Sequence, residues 1–239
     1  MDDRAEFITA LKSNLEHLDL LLDDGAMAQM WEHFRLLVAA NQKINLTRIT
    51  DPAEGAARHY ADSLAVAAWC RASGAEGTTV LDVGTGGGFP AVPLAICRPN
   101  WQVTAIDGTG KKIRCVEQFV DHLGLTNCRA LHKRAEEWRE DTPSFDMVLF
   151  RAIAPLADCL SLAERFCHPG SVVICYKGDP LPNEESQAAL QGRTGSRFTR
   201  RQNWPYTLEG PSGVLTRQLC CYFADPGHEQ PADGFASDV

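Results

Sequence analysis

The run Asp82-Val83-Gly84-Thr85-Gly86-Gly87-Gly88 sets an acid and a string of glycines where an apolar stretch gives way to a helical one. Glycine takes positive φ at little cost and leaves room for a ligand to approach the backbone. In an open α/β sheet such a turn lies beyond the carboxyl end of the first strand, where ligands bind. A dinucleotide turn, G-x-G-x-x-G, would place its third glycine at 89, and that position is Phe89. An NAD-dependent oxidoreductase is thereby excluded. Asp107 closes the next apolar run, and a carboxylate there can accept both hydroxyls of a ribose. A helix N-cap is the structural alternative. Arg134-Ala135-Glu136-Glu137 follows a third run, where an adenine would lie, although Glu136 could simply open a helix. Arg151 ends a fourth run and needs a partner there, either a ligand or a buried acid.

The spacing D-x-G-x-G-x-G is typical of class I methyltransferases, with Asp82 where the amino acid part of S-adenosylmethionine would sit. The fourth-strand segment Phe150-Arg151-Ala152-Ile153-Ala154-Pro155 then narrows the chemistry. It lacks the N-P-P-Y or D-P-P-Y that holds an exocyclic adenine amine, and no cysteine follows a proline as pyrimidine C5 methylation commonly requires. A nucleophile with its own lone pair, such as guanine N7, needs neither group. The positive sulfur of the cofactor makes its methyl electrophilic, so the protein has only to align donor with acceptor and exclude water.

These residues need elements to hold them. From residue 5 to about 75 the apolar period is helical: Ile8, Leu11, Leu15, Leu18 and Leu22, then Met27, Met30, Trp31, Phe34, Leu37 and Val38. Asp51-Pro52 reads as an N-cap with proline at the first helical position, starting a third helix through Tyr60 and Leu64. Beyond Gly77, β-branched runs at 79–83, 102–106, 129–132, 147–150 and 172–176 alternate with helical stretches near 90–97, 111–123 and 156–166. Strand-like runs, 214–223 among them, fill 198–223. Parallel strands joined by right-handed crossovers close most simply as a doubly wound sheet. The expected architecture is a class I, Rossmann-like α/β domain at 78–223, with a mostly parallel seven-stranded sheet flanked by helices. A helical cap occupies 1–77, and a tail of Pro, Gly, Asp and Ser from 224 to 239 is expected to be disordered.

At 239 residues, 44% hydrophobic and 23% charged, the chain has the composition of a globular protein rather than a disordered or fibrous one. No apolar run approaches the ~18 residues of a membrane span. The acidic start Met1-Asp2-Asp3-Arg4-Ala5-Glu6 lacks secretory-signal features, so the expected compartment is the cytoplasm. None of the nine cysteines forms a C-x-x-C pair, which excludes the usual structural zinc site, and buried reduced thiols are expected. Cys220 and Cys221, being adjacent in a strand, point to opposite faces, so both are not expected in the core. A net charge of −8 argues against nonspecific coating of nucleic acid. Local basic groups, Lys111-Lys112 with Arg114 and the set Arg193, Arg197, Arg200 and Arg201, keep a nucleic-acid substrate open.

With these pieces placed, the sequence resembles the RsmG family, also called glucose-inhibited division protein B, the bacterial 16S ribosomal RNA guanine-N7 methyltransferases. The resemblance runs from about residue 27 to 223. It rests on Asn41-Gln42-Lys43-Ile44-Asn45-Leu46-Thr47, on His59-Tyr60-Ala61-Asp62-Ser63-Leu64 and on Asp82 to Pro90. Lys111-Lys112, Arg134 to Glu137, Phe145-Asp146, Arg151-Ala152 and Lys177-Gly178 follow in order. It implies methyl transfer from S-adenosylmethionine to a guanine in a loop of 16S ribosomal RNA, as naked RNA or in the small subunit, with no metal and no membrane. It further implies cofactor contacts at Gly84, Phe89, Ala135, Glu136 and Arg151, joining Asp82, Gly86, Gly88 and Asp107 from the turn, with Arg151 as the catalytic candidate. Asn45, Arg48, His59 and Asp62 are the candidates for the substrate cleft, and Lys43, Arg48, Lys111 and Arg193 for RNA phosphates. Ala91 stands where the family usually has glycine, and the close at Cys220 to Phe223 departs from a lysine-rich one. Two rival readings remain, a methyltransferase for another RNA, a small molecule or a protein, and a ribosome assembly factor with a vestigial cofactor site. The intact acids and glycines argue against the second.

Overall fold

The computed structural model describes residues 2–75, 77–138, 142–151, 154–179 and 198–224. Arg193, Arg197 and the tail beyond 224 lie outside the described residues. Helix α1 (Asp3–His17) starts where Asp2 accepts the Ala5 N–H at 2.7 Å, and α2 (Asp24–Asn41) where Asp23 accepts that of Ala26 at 2.7 Å. Asp51 caps α3 (Pro52–Gly55) in the same way, with proline inside the cap as expected. The third helix is not continuous, however. After α3 the backbone widens into a π-helix, Ala56–Ala61, before resuming as α4 (Asp62–Ser73), which ends at Gly74 with φ 67°. Single π-turns inside α-helices are often found at functional sites. This one carries Arg58, His59 and Tyr60.

The strands are β1 (Thr79–Val83), β2 (Gln102–Asp107), β3 (Cys128–His132), β4 (Phe145–Arg151), β5 (Cys167–Gly178), β6 (Phe198–Gly210) and β7 (Gly213–Ala224). Between them lie α5 (Ala91–Cys97), α6 (Gly110–Leu123), a 3-10 turn at Ala135–Glu137 and α7 (Leu156–Ala163). The sheet runs β3-β2-β1-β4-β5-β7-β6, parallel through β5 and antiparallel where β7 meets β5 and β6. The expected seven-stranded, mostly parallel sheet is present. Strand order reverses between β1 and β4, which opens a crevice at their carboxyl ends.

Alternate residues of the strands serve two apolar clusters. Val80, Val103, Ala105, Met147 and Ile174 pack with α1, α2, α4, α5 and α6, while Leu81, Ile106, Val148, Val173 and Cys175 pack with α7 and Trp138. The N-terminal helices therefore share one continuous core with the sheet. Cys220 and Cys221 do point to opposite faces, but both are 0% exposed, contrary to expectation. Chain reversal puts β7 inside the sheet, between β5 and β6, where both faces are covered. All nine cysteines are free and buried. Among the described residues no helix is long and apolar enough to cross a membrane, and no grouping of His, Cys, Asp and Glu could hold a metal ion.

Candidate active site

The glycine turn is tied to β2 rather than only to its own strand. The N–H groups of Gly84 and Thr85 donate to the Ile106 carbonyl at 2.8 and 3.0 Å, and that of Gly86 donates to Asp107 Oδ2 at 3.1 Å. Gly84 and Gly86 hold φ of 74° and 59°, a region that side chains rarely adopt. Asp107 Oδ1 takes the Thr109 N–H at 2.7 Å, so each carboxylate oxygen keeps lone pairs for a further donor. Asp82 sits beneath the turn, fully buried, with Oδ2 accepting the Ala91 N–H at 3.1 Å. Its Oδ1 and the Thr85 hydroxyl are buried with no partner of regular hydrogen-bond geometry. Burial pushes the Asp82 carboxyl up to about 7, against smaller lowering effects of Thr85, the Ala91 amide and Arg151.

A cleft of about 390 Å³ opens from this turn, a size within the roughly 300–1,000 Å³ of small-ligand pockets. Gly84, Gly86, Phe89, His59, Asp62 and Arg151 are brought together on its walls, with Leu46, Ile49, Arg58, Leu215 and Arg217. Asp62 is the hub. It is 1% exposed, and its Oδ2 accepts Arg151 Nε at 2.8 Å and Arg217 Nη2 at 3.3 Å. Its Oδ1 accepts the Tyr206 hydroxyl at 2.7 Å and Arg217 Nε at 3.1 Å. Burial alone would raise the Asp62 pKa, but the two guanidinium groups and the Tyr206 hydroxyl outweigh it and hold the carboxyl below its ordinary value. With its acceptor positions taken, Asp62 reaches a ligand only through the arginines it orients. Arg151 also donates to the Arg58 carbonyl at 2.5 Å, and Arg58 itself pairs with Glu54.

Phe89 is the floor between the turn and the π-helix. The His59 ring stacks on it at 4.7 Å, the Arg151 guanidinium lies 5.8 Å from its centroid, Tyr60 packs edge-to-face with it at 5.3 Å and His33 lies tilted to it at 5.2 Å. Thr47 Oγ1 lies 2.6 Å from His59 Nε2, and the Asn41 side chain accepts the N–H groups of Leu46 and Thr47, which fixes the Asn-Leu-Thr loop beside the cleft. Burial, aided by the Arg151 charge, pushes His59 down to about 4 and keeps it neutral at pH 7.

A second cavity of about 510 Å³ lies past Asp107, lined by Gly108, His132, Lys133, Arg134, Glu137 and Trp138. Ala135 is buried at its edge and Glu136 is exposed, their carbonyls held by Arg165 Nη1 at 3.3 and 3.0 Å. Gly88 does not line the cleft. It packs inward, where a Cβ would come within 2.9 Å of Val92. Asn45 and Arg48 are exposed on the loop above the cleft, and Lys111 is exposed in the first turn of α6; none of the three lines it. The sequence reading missed Arg217 and Tyr206. The signal was an arginine on the apolar face Leu215, Arg217, Leu219, Cys221 of a strand, which demands a buried acid. It also missed His33 on the apolar stripe of α2, fully buried with Nδ1 2.9 Å from the Tyr60 hydroxyl.

Comparison with known proteins agrees with this architecture. The structure is similar to a putative O-methyltransferase from Klebsiella pneumoniae, at TM-score 0.54 and 14% identity over 81% of this chain and 90% of that one. It is likewise similar to the O-methyltransferase TomG of Streptomyces achromogenes, solved in complex with SAM, at TM-score 0.52 and 17% identity with the same coverage. Such identities establish the fold alone. In sequence, the ribosomal RNA small subunit methyltransferase G of Alkalilimnicola ehrlichii is 38% identical over 192 residues, 80% of this chain and 84% of that protein. The protein of the same name from Solibacter usitatus is 37% identical over 193 residues, 80% and 90% of the two chains. The family model GidB, described as rRNA small subunit methyltransferase G, matches residues 26–196. The chain belongs to the rRNA small subunit methyltransferase G family.

Proposed function

We propose that this protein transfers the methyl group of S-adenosylmethionine to N7 of a guanine in a loop of 16S ribosomal RNA. One observation carries the reading: within a chain of this family, an arginine pair held on a buried carboxylate faces the same cleft as the glycine turn. The residues present fit the cofactor. Asp107 has free lone pairs for ribose hydroxyls, the orphaned Oδ1 of Asp82 suits an ammonium group, and the cavity past Gly108 can take an adenine. When bound, S-adenosylmethionine supplies an electrophilic methyl on a positive sulfur.

Guanine N7 attacks with its own lone pair and carries no proton, so the chain needs no general base. His59, neutral at pH 7, and Asp62, saturated by its partners, suit that requirement. Arg151 is the residue assigned to the base, its guanidinium aimed by Asp62 and the Arg58 carbonyl, and Phe89 and His59 form the flat wall beside it. Arg217 shares the anchor and adds a second cation for O6 or a phosphate. Catalysis then consists of orientation and exclusion of water.

The test is transfer of labelled methyl from S-adenosylmethionine to 16S RNA and to assembled small subunits by the purified protein, with the product mapped by N7-methylguanine-directed cleavage. A single modified guanine in 16S RNA, lost in Arg151→Ala, is expected. Label in another RNA or in protein, or undiminished turnover by Arg151→Ala, would overturn the reading.

A further inference from the structure

The family model matches residues 26–196, so α1 and the strand carrying Arg217 fall outside it at opposite ends of the chain. In the fold α1 meets β6, the hairpin partner of the strand that carries Arg217. Asn14, on α1, is 1% exposed and treats β6 as a neighbouring strand would: its Nδ2 donates to the Glu209 carbonyl at 2.8 Å, and its Oδ1 accepts the Glu209 N–H at 2.7 Å. A third bond from Nδ2 to the Ala10 carbonyl at 2.9 Å fixes the amide on its own helix. One turn further along the hairpin, Glu54 accepts the Ser212 N–H at 3.1 Å. On its other side α1 presses Phe7 edge-on against Tyr60 of the π-helix at 5.0 Å.

Helix α1 thus touches both walls of the cleft from behind, the π-helix that carries Arg58 and His59 and the hairpin that carries Leu215 and Arg217. From this we infer that α1 is a clasp and that Asn14 is a positioning residue for the RNA substrate, a proposal that rests on the function given above. Asn14 touches no ligand. It sets the height of the hairpin and hence the distance from Arg217 to Asp62. The backbone of the glycine turn is held by the Ile106 carbonyl and Asp107 of β2 and makes no hydrogen bond to α1, so the clasp is expected to leave cofactor binding unchanged. Asn14 is also a buried amide whose donor and acceptor are both used, and nothing in the packing of an isolated helix requires that pair of bonds.

Asn14→Leu tests the clasp, because leucine keeps the helix and the volume and removes both cross-links. Losing two net hydrogen bonds at the hairpin is expected to raise the KM for 16S RNA about tenfold. The kcat and the Kd for S-adenosylmethionine, measured by calorimetry, stay within about twofold of wild type, a range of about 0.4 kcal/mol. Amide hydrogen exchange at Glu209, whose N–H Asn14 accepts, speeds up, which reports the released hairpin even if turnover is low. Val116→Ala, in α6 away from the hairpin, controls for lost stability: it lowers Tm without moving the RNA KM. An unchanged RNA KM in Asn14→Leu, or cofactor and RNA affinity falling together, overturns the clasp. If exchange at Glu209 does not speed up, the clasp is overturned as well. A wild-type protein that transfers no methyl to 16S RNA overturns instead the functional reading beneath it.

Discussion

Asp62 concentrates more of the site's energetics than any residue that faces the cleft. Removing one member of a buried ion pair costs about 3–5 kcal/mol, because the other charge is left in a poor solvent. Asp62→Asn leaves two mostly buried guanidinium groups without their counter-charge, so the loss of stability on chemical denaturation should fall in that range. Arg217→Met should cost less, since Asp62 keeps Arg151 and Tyr206. The reverse order would show that Asp62 is not the anchor. Gly86 makes the opposite kind of prediction. Its φ of 59° strains any side chain, yet a Cβ there meets only the Gly84 carbonyl at 4.0 Å. Gly86→Ala should therefore fold with a loss of about 1 kcal/mol, the strain of a left-handed residue. The added methyl stands in the cleft, and affinity for S-adenosylmethionine should drop by calorimetry while Tm falls by only about 2–4 °C. Unaltered affinity would place the cofactor elsewhere.

The pairing of α2 with the π-helix makes stability depend on pH. His33, buried between Tyr60, Phe89 and Phe119, is pushed down to about 3 by burial and by the charge of His59, and His59 itself to about 4. Both values lie below the ordinary 6.5, so the folded protein holds both rings neutral. Their effect is absent above pH 6.5 and grows as destabilisation while pH falls toward 4. Asp82 has the opposite sign: raised to about 7, it favours the fold at low pH and loses that contribution as pH rises from about 4 to 7. Two histidines outweigh one carboxyl, so the urea midpoint should fall between pH 6.5 and 4.5, and His33→Gln should flatten that limb. A midpoint constant over this range would remove the buried-histidine account.

This same interface marks where local sequence signals stop. The cap at Asp51 acts within three residues of itself, and its type together with the proline after it announced it. The π-helix did not show, because six residues at a wider period cannot be told from an α-helix by apolar spacing. Nor did the hub, whose members lie 89 and 155 positions apart and are joined only by the sheet order. Cys220 and Cys221 were misjudged for a related reason. Whether a strand has one covered face or two depends on its neighbours, and β7 acquires both by the final reversal of the chain.

Across the whole molecule, charge and site pull in different directions. The net charge is −8, yet the cleft sets two guanidinium groups against one buried carboxylate, while the third, Arg58, is matched by Glu54. A protein of this balance cannot gather RNA by a general field; attraction has to come from a few cations near the cleft, such as Arg48, exposed on the loop between the lining residues Leu46 and Ile49. For single strands the logarithm of affinity falls with that of salt by about 0.7 per phosphate neutralised, so two to four contacts predict a slope of roughly −1.5 to −3 for a 16S RNA fragment. Arg217→Met should reduce that slope by about 0.7 if its guanidinium meets a phosphate, and leave it unchanged if it meets only guanine O6. Fluorescence anisotropy at several salt concentrations separates these cases. A slope steeper than about −5 would mean that a broad basic surface dominates binding, and the arginine cleft would then be a place for chemistry alone.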